Sequence, residues 1–181
     1  MARIQPVNPA EAQGKAKQLL DGVQAKLGMT PNMARTMANS PAVLDGYLSF
    51  SAALGSGALK GAFREQIALA VAQANSCEYC LSAHTAIGRM AGLDEQSIAA
   101  SRKANSPDPK RAAGLEFTRN LVLERGSVSD DALARIRAAG YSEGEIVELV
   151  ANVALNILTN YVNRVAGTEI DFPRVSLELA A

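Results

Sequence analysis

An all-α fold is predicted for this chain by three features. The composition is rich in Ala and Leu, with 4% aromatic residues and no Trp; no run shows the β-branched and aromatic pattern of a strand; and capping signals recur between apolar segments. Periodic segments predict helices over 9–27, 32–39 and 41–54, the third opened by Ser40-Pro41, a cap residue before a proline whose missing N–H costs nothing at the first helical position. Gly55-Ser56-Gly57 then interrupts the chain. Helices over 59–75 and 77–91 follow, parted by Asn75-Ser76 and read together as a helical hairpin, with Gly92 where a left-handed residue is wanted. A helix over 94–104 stops before Ser106-Pro107-Asp108, and Asp108-Pro109 repeats the cap-and-proline device for 109–125, which Gly126 closes. Gly140 closes 129–139, and Ser142 with Glu145 forms a capping box for 143–166, which Gly167 ends. From Asp171-Phe172-Pro173-Arg174 onward helical periodicity stops, which predicts an extended tail able to reach a neighbouring subunit.

No connection is long enough to divide the chain, so residues 1–181 are expected to form one domain, and 48% hydrophobic residues supply its core. Eighteen Lys and Arg balance eighteen Asp and Glu, so no net field draws nucleic acid or an anionic membrane. Met1-Ala2-Arg3-Ile4-Gln5-Pro6 leads into no apolar signal core, and no stretch of about 18 apolar residues occurs. A cytoplasmic protein is expected, free of nucleic-acid and membrane partners. In a reducing compartment two cysteines placed close together are more often redox-active or metal-binding than structural.

Those two are Cys77 and Cys80, followed by the only histidine of the chain, His84. At about 100° per residue the three fall within roughly 60° of one another on a helix surface, so they can act as one site. Asn75-Ser76 supplies cap residues that put Cys77 in the first turn of a new helix, where the positive end of the dipole favours a thiolate. An imidazole one turn beyond Cys80 adds to the effect, drawing thiol pKa down from about 8.5. Glu65 enters Ile67-Ala68-Leu69-Ala70-Val71-Ala72, a segment apolar on all sides, where a carboxylate needs a partner. If the helices lie side by side, Glu65 orients His84 and His84 deprotonates Cys80. The same residues also permit a zinc site, with Cys77, Cys80 and His84 as ligands and Glu65 at or near the fourth position. A structural Cys/His site in a helical oligomer, or a redox-regulated binding protein without turnover, is open too. Asn152, Asn156, Asn160 and Asn163 form a polar stripe on an apolar helix, which reads as architecture suited to an oligomer interface. Tyr79 and Tyr161 read as packing.

The run Arg64-Glu65 with Cys77-Glu78-Tyr79-Cys80-Leu81-Ser82-Ala83-His84 closely resembles the alkylhydroperoxidase D type proteins of the carboxymuconolactone decarboxylase superfamily. The family motif is a glutamate, a C-x-x-C twelve residues later and a histidine four beyond it, and Glu65, Cys77, Cys80 and His84 keep every interval. Gly28-Met29-Thr30-Pro31-Asn32, Ser40-Pro41, Tyr161-Val162-Asn163 and Asp171-Phe172-Pro173 are similar to its peroxidase-related subgroup, so the likeness takes in most of 28–173. The resemblance implies a helical antioxidant enzyme, trimeric or hexameric, reducing hydroperoxides through a Cys77–Cys80 dithiol without a further cofactor. It makes Cys80 the peroxidatic thiol, Cys77 the resolving thiol, and His84 and Glu65 the proton-handling pair, with a lipoyl or thioredoxin-like dithiol as electron donor. One departure is Tyr79, which stands where well-known members carry a second histidine. The decarboxylase branch lacks the cysteine pair, so decarboxylation is not expected.

Overall fold

A helix apolar on every side is stable only where other elements cover it all round. In the computed structural model, which describes residues 1–179, the segment entered by Glu65 is such a helix. Among the described residues there are nine α-helices and no strand: α1 Gly14–Leu27, α2 Asn32–Met37, α3 Pro41–Gly55, α4 Gly61–Ala74, α5 Glu78–Met90, α6 Glu95–Arg102, α7 Pro109–Leu123, α8 Asp130–Ala138 and α9 Glu143–Ala166. α4 packs against α5, α6, α7 and α9, and every residue from Gln66 to Ala72 is buried. Burial of each large side chain there, such as Ile67 or Leu69, contributes about 1.5–3 kcal/mol. Leu115 of α7 and Leu149 and Val153 of α9 close one side of α4. On another side lies a second cluster that contains Cys77, Tyr79, Cys80 and Leu81. A third, with Leu20, Met37 and Leu44, ties α1 to α2 and α3.

The helix ends follow the capping chemistry in most places. Asp108 Oδ1 accepts the Arg111 N–H at 2.9 Å. At α9 both halves of the capping box form, Ser142 Oγ accepting from Glu145 N at 3.2 Å and Glu145 Oε2 from Ser142 N at 2.8 Å. Gly92, Gly126, Gly140 and Gly167 all take positive φ. Two expectations change. The first helix begins at Gly14 rather than residue 9, because Asn8 turns the chain back by accepting the Glu11 and Ala12 N–H groups. Ser40 stands at the α3 cap position, yet its side chain makes no capping bond and Pro41 alone sets the start.

The predicted hairpin is α4 and α5. Ser76, at φ 52°, turns the chain between them, and the Cys77 N–H returns to the Ala72 carbonyl at 2.9 Å. The tail is extended as predicted and lies on its own chain. Arg174 donates twice to the Glu78 carboxylate, at 3.1 and 2.7 Å, Val175 N donates to Ser82 Oγ at 3.0 Å, and Gln73 Nε2 to the Leu177 carbonyl at 2.9 Å. The asparagine stripe of α9 is buried inside the subunit rather than offered to another. Asn152 Oδ1 takes the Arg64 Nε–H and Asn160 Oδ1 takes an Asn75 amide N–H, each at 3.1 Å. The exposed face of α9 is instead apolar, carrying Val147, Val150, Leu158, Tyr161 and Val165. No helix among the described residues is long and apolar enough to cross a membrane.

Candidate active site

Cys77 is the N-cap residue of α5, one position earlier than the sequence suggests. Its Sγ accepts the Cys80 N–H at 3.3 Å, so an orphan donor of the first turn is satisfied by sulfur. The two cysteines are joined as a disulfide, with Cα atoms 5.3 Å apart, and both are buried. A turn later on α5, His84 directs Nδ1 to Glu65 Oε2 across the hairpin at 2.8 Å. That contact fixes the imidazole ring and leaves Nε2 as its other working nitrogen. Side-chain exposures of 21% for His84 and 19% for Glu65 leave the pair more open to solvent than the cysteines, which are 1% and 3% exposed. Gly88, a further turn along α5, makes room for Leu93: a Cβ there would stand 3.2 Å from Leu93 Cδ1, with Glu65 Cβ in ordinary contact at 3.9 Å.

All four residues singled out by their spacing thus occupy one hairpin. Glu65 pairs with His84 and not with Arg64, whose guanidinium is held by Asn152 and the Ser51 carbonyl. With the sulfurs joined to each other and His84 Nδ1 given to Glu65, the four do not converge as ligands. Among the described residues no group of three or more His, Cys, Asp or Glu is placed to hold a metal ion.

Tyr79 has a different task from the histidine it replaces. Its hydroxyl accepts the Met33 N–H at 3.1 Å, while Asp171 Oδ2 accepts the Asn32 N–H at 2.6 Å. Pro31, the residue at the α2 cap position, makes no side-chain cap bond, so these two groups satisfy the first donors of α2. The Tyr79 ring meets Phe172 edge-on at 5.9 Å. Burial pushes the Tyr79 hydroxyl far above its ordinary value, with the neighbouring Asp171 charge adding to the effect. Tyr79 is therefore an anchor between α5, α2 and the tail, and its hydroxyl stays protonated at neutral pH.

Two neighbours were not legible as site residues. Asn163, from the α9 stripe, donates its Nδ2–H to Cys80 Sγ at 3.3 Å. Tyr47 of α3 stands near enough to Glu65 for the carboxylate to oppose its ionisation, which burial already disfavours. Beside the cysteines lies an open groove of about 540 Å³, bordered by Cys77, Tyr79, Asn163, Thr168, Phe172 and Arg174 among others; Cys80 is not in its wall.

The model of the carboxymuconolactone decarboxylase family matches residues 41–115, which take in α3 to α6 and the start of α7, the whole hairpin included. A solved structure of an uncharacterized peroxidase-related protein with an alkylhydroperoxidase D core, from Ralstonia eutropha JMP134, superposes with a TM-score of 0.82 at 26% identity, covering 94% of this chain and 92% of that one. In this segment and in its fold the chain is similar to the alkylhydroperoxidase D-like proteins of the carboxymuconolactone decarboxylase superfamily. A curated relative, the uncharacterized protein YdfG of Bacillus subtilis (strain 168), is 34% identical over 91 residues, 48% of this chain and 61% of that protein, so the match spans under two thirds of the relative. The debrominase Bmp8 shares the fold, with a TM-score of 0.80 over 93% of this chain and 91% of its own, at 19% identity. One fold therefore serves proteins named for different reactions, and the side chains of the site must carry the functional argument.

Proposed function

We propose that this protein is a thiol-dependent peroxidase that reduces hydroperoxides through Cys77 and Cys80. The observation that carries the reading is the Glu65–His84 contact of 2.8 Å, set one helical turn from a cysteine pair close enough to bond. In the reduced protein His84 draws the proton from Cys80, and Glu65 holds the ring and stabilises its charged form. The Cys80 thiolate attacks the peroxide O–O bond, taking one oxygen as sulfenic acid while the other leaves as alcohol or water. Cys77 then attacks the sulfenic sulfur, expelling water and closing the disulfide. Two electrons from an external dithiol, on a lipoyl group or a thioredoxin-like protein, restore the pair.

The active form is a homo-oligomer, a trimer or a hexamer by family likeness. What supports assembly is the apolar outer face of α9, because exposed Val147, Val150, Leu158, Tyr161 and Val165 run along one side of a long helix. The reading is tested by adding one equivalent of hydrogen peroxide to reduced protein and weighing it. Loss of two hydrogens, with Cys77 and Cys80 in one disulfide-linked peptide, supports it. Reduced cysteines, or a Cys80→Ser variant that consumes peroxide at the wild-type rate with dithiol present, would defeat it.

A further inference from the structure

The two sulfurs of the pair face different surroundings. Each receives one N–H at 3.3 Å: Cys77 Sγ from the backbone of Cys80, Cys80 Sγ from the side chain of Asn163. Asn163 is 3% exposed and lies in the wall of the groove, and its Oδ1 is buried without a hydrogen-bond partner. Thr168 Oγ1, in the same wall, is likewise buried and unpartnered. Unsatisfied polar atoms in a wall are what a ligand with donor groups would complete. Of the two cysteines only Cys77 borders this space, and its volume of about 540 Å³ is within the range of small-molecule sites.

Displacement at a disulfide sulfur is in line: the attacking thiolate approaches opposite the sulfur that leaves. An attacker in the groove therefore meets Cys77 and drives out Cys80. Resting on the redox reading above, we infer that the groove admits the reducing dithiol, that Cys77 is the sulfur it attacks, and that Asn163 receives the charge on the departing Cys80. In the first step the donor thiolate bonds to Cys77 Sγ, the Cys77–Cys80 bond breaks, and its electron pair leaves on Cys80, facing the Asn163 N–H. In the second, the other donor thiolate attacks the donor sulfur of this mixed disulfide and releases Cys77 as thiolate. The donor becomes a disulfide, the protein gains two electrons, and the donor's two protons end on Cys77 and Cys80. Ile170 and Phe172 in the groove wall suit the aliphatic stem of a small dithiol. Asn163 does for Cys80 what the helix end does for Cys77, making it a better leaving group now and an attacking thiolate in the next cycle.

Oxidised wild-type protein, treated with excess 2-mercaptoethanol and quenched with N-ethylmaleimide, tests the direction of attack by peptide sequencing in the mass spectrometer. Mercaptoethanol on Cys77 with maleimide on Cys80 is expected in about tenfold excess or more over the reverse. Equal amounts, or the reverse pattern, would overturn the assignment. The role of Asn163 is read from the pH profile of Cys80 alkylation in a Cys77→Ser background, where Asn163→Leu moves the midpoint up by about one pH unit. Asn163→Asp, the closer shape, moves it the same way and serves if Leu is not accommodated. A midpoint unmoved in the folded variant removes Asn163 from the sulfur chemistry. Both arms use thiols and alkylating agents only, so they decide this inference even for a protein that fails to consume peroxide.

Discussion

At the scale of single residues, three side chains divide the work around the sulfurs. His84 is held by Glu65 one helical turn beyond Cys80, so His84→Ala removes the proposed base; iodoacetamide labelling of Cys80 at neutral pH is predicted to slow about tenfold per unit rise in thiol pKa. Unchanged labelling would remove His84 from that role. Glu65→Ala leaves the imidazole in place without its orienting partner and is predicted to lower peroxide turnover by about 10²-fold or more. Tyr79 lies on the other side of the division. Its hydroxyl meets a helix N–H, so Tyr79→Phe is predicted to cost about 1 kcal/mol in urea unfolding while leaving thiol labelling as it was. A Tyr79→Phe protein with altered labelling would return the tyrosine to the proton chemistry.

At the scale of elements, the hairpin works because two helices touch it closely. Gly114 of α7 lies against Phe63 of α4 and the Tyr141 hydroxyl; a Cβ added there would fall 2.8 Å from Phe63 Cζ and nearer still to the Tyr141 oxygen. Gly114→Ala is predicted to destabilise by about 1–3 kcal/mol, measured by urea unfolding, since backbone or ring must shift. The α9 capping box gives a pH signature. Glu145 is held below its ordinary value of 4.5, first by the Ser142 N–H and then by Lys110. A carboxyl lowered on folding stabilises above 4.5 and loses that contribution as pH falls through its lowered value. Glu145→Gln is therefore predicted to be less stable than wild type near neutral pH, with the gap closing under more acid conditions.

What the sequence made legible at this scale was local. Caps at Asp108 and Ser142, glycine stops and the break at Asn75-Ser76 depend on residues a few positions apart, and these features formed. The Glu65–His84 contact needed only the hairpin, so register sufficed to anticipate it. Asn163 lies 83 positions from Cys80, and a stripe of asparagines at helical spacing says that a face is polar without saying what it meets. Asp171, 139 positions from the Asn32 N–H it accepts, was out of reach for the same reason. An N-terminus that begins late, at Gly14, reflects an Asx turn that competes with helix using the same residue types.

At the scale of the molecule, one apolar helix face remains uncovered while the asparagines point inward, the reverse of what the stripe alone suggested. A surface of that kind is predicted to be buried between copies of the chain, and light scattering of the purified protein should give a mass above the 19.0 kDa of one chain. Leu158→Glu, on that face, should lower the mass; a wild-type monomer would contradict the assembly. The chemistry divides similarly between two approaches to the pair, with His84 and Glu65 partly open on one hand and the groove at Cys77 on the other. The central claim, that Cys80 takes the peroxide oxygen, is tested most directly by treating Cys77→Ser with hydrogen peroxide in the presence of dimedone. The account predicts a dimedone adduct on Cys80, because no second thiol remains to close the disulfide. An unlabelled Cys80, with the adduct found instead on Cys77 in the Cys80→Ser protein, would contradict it.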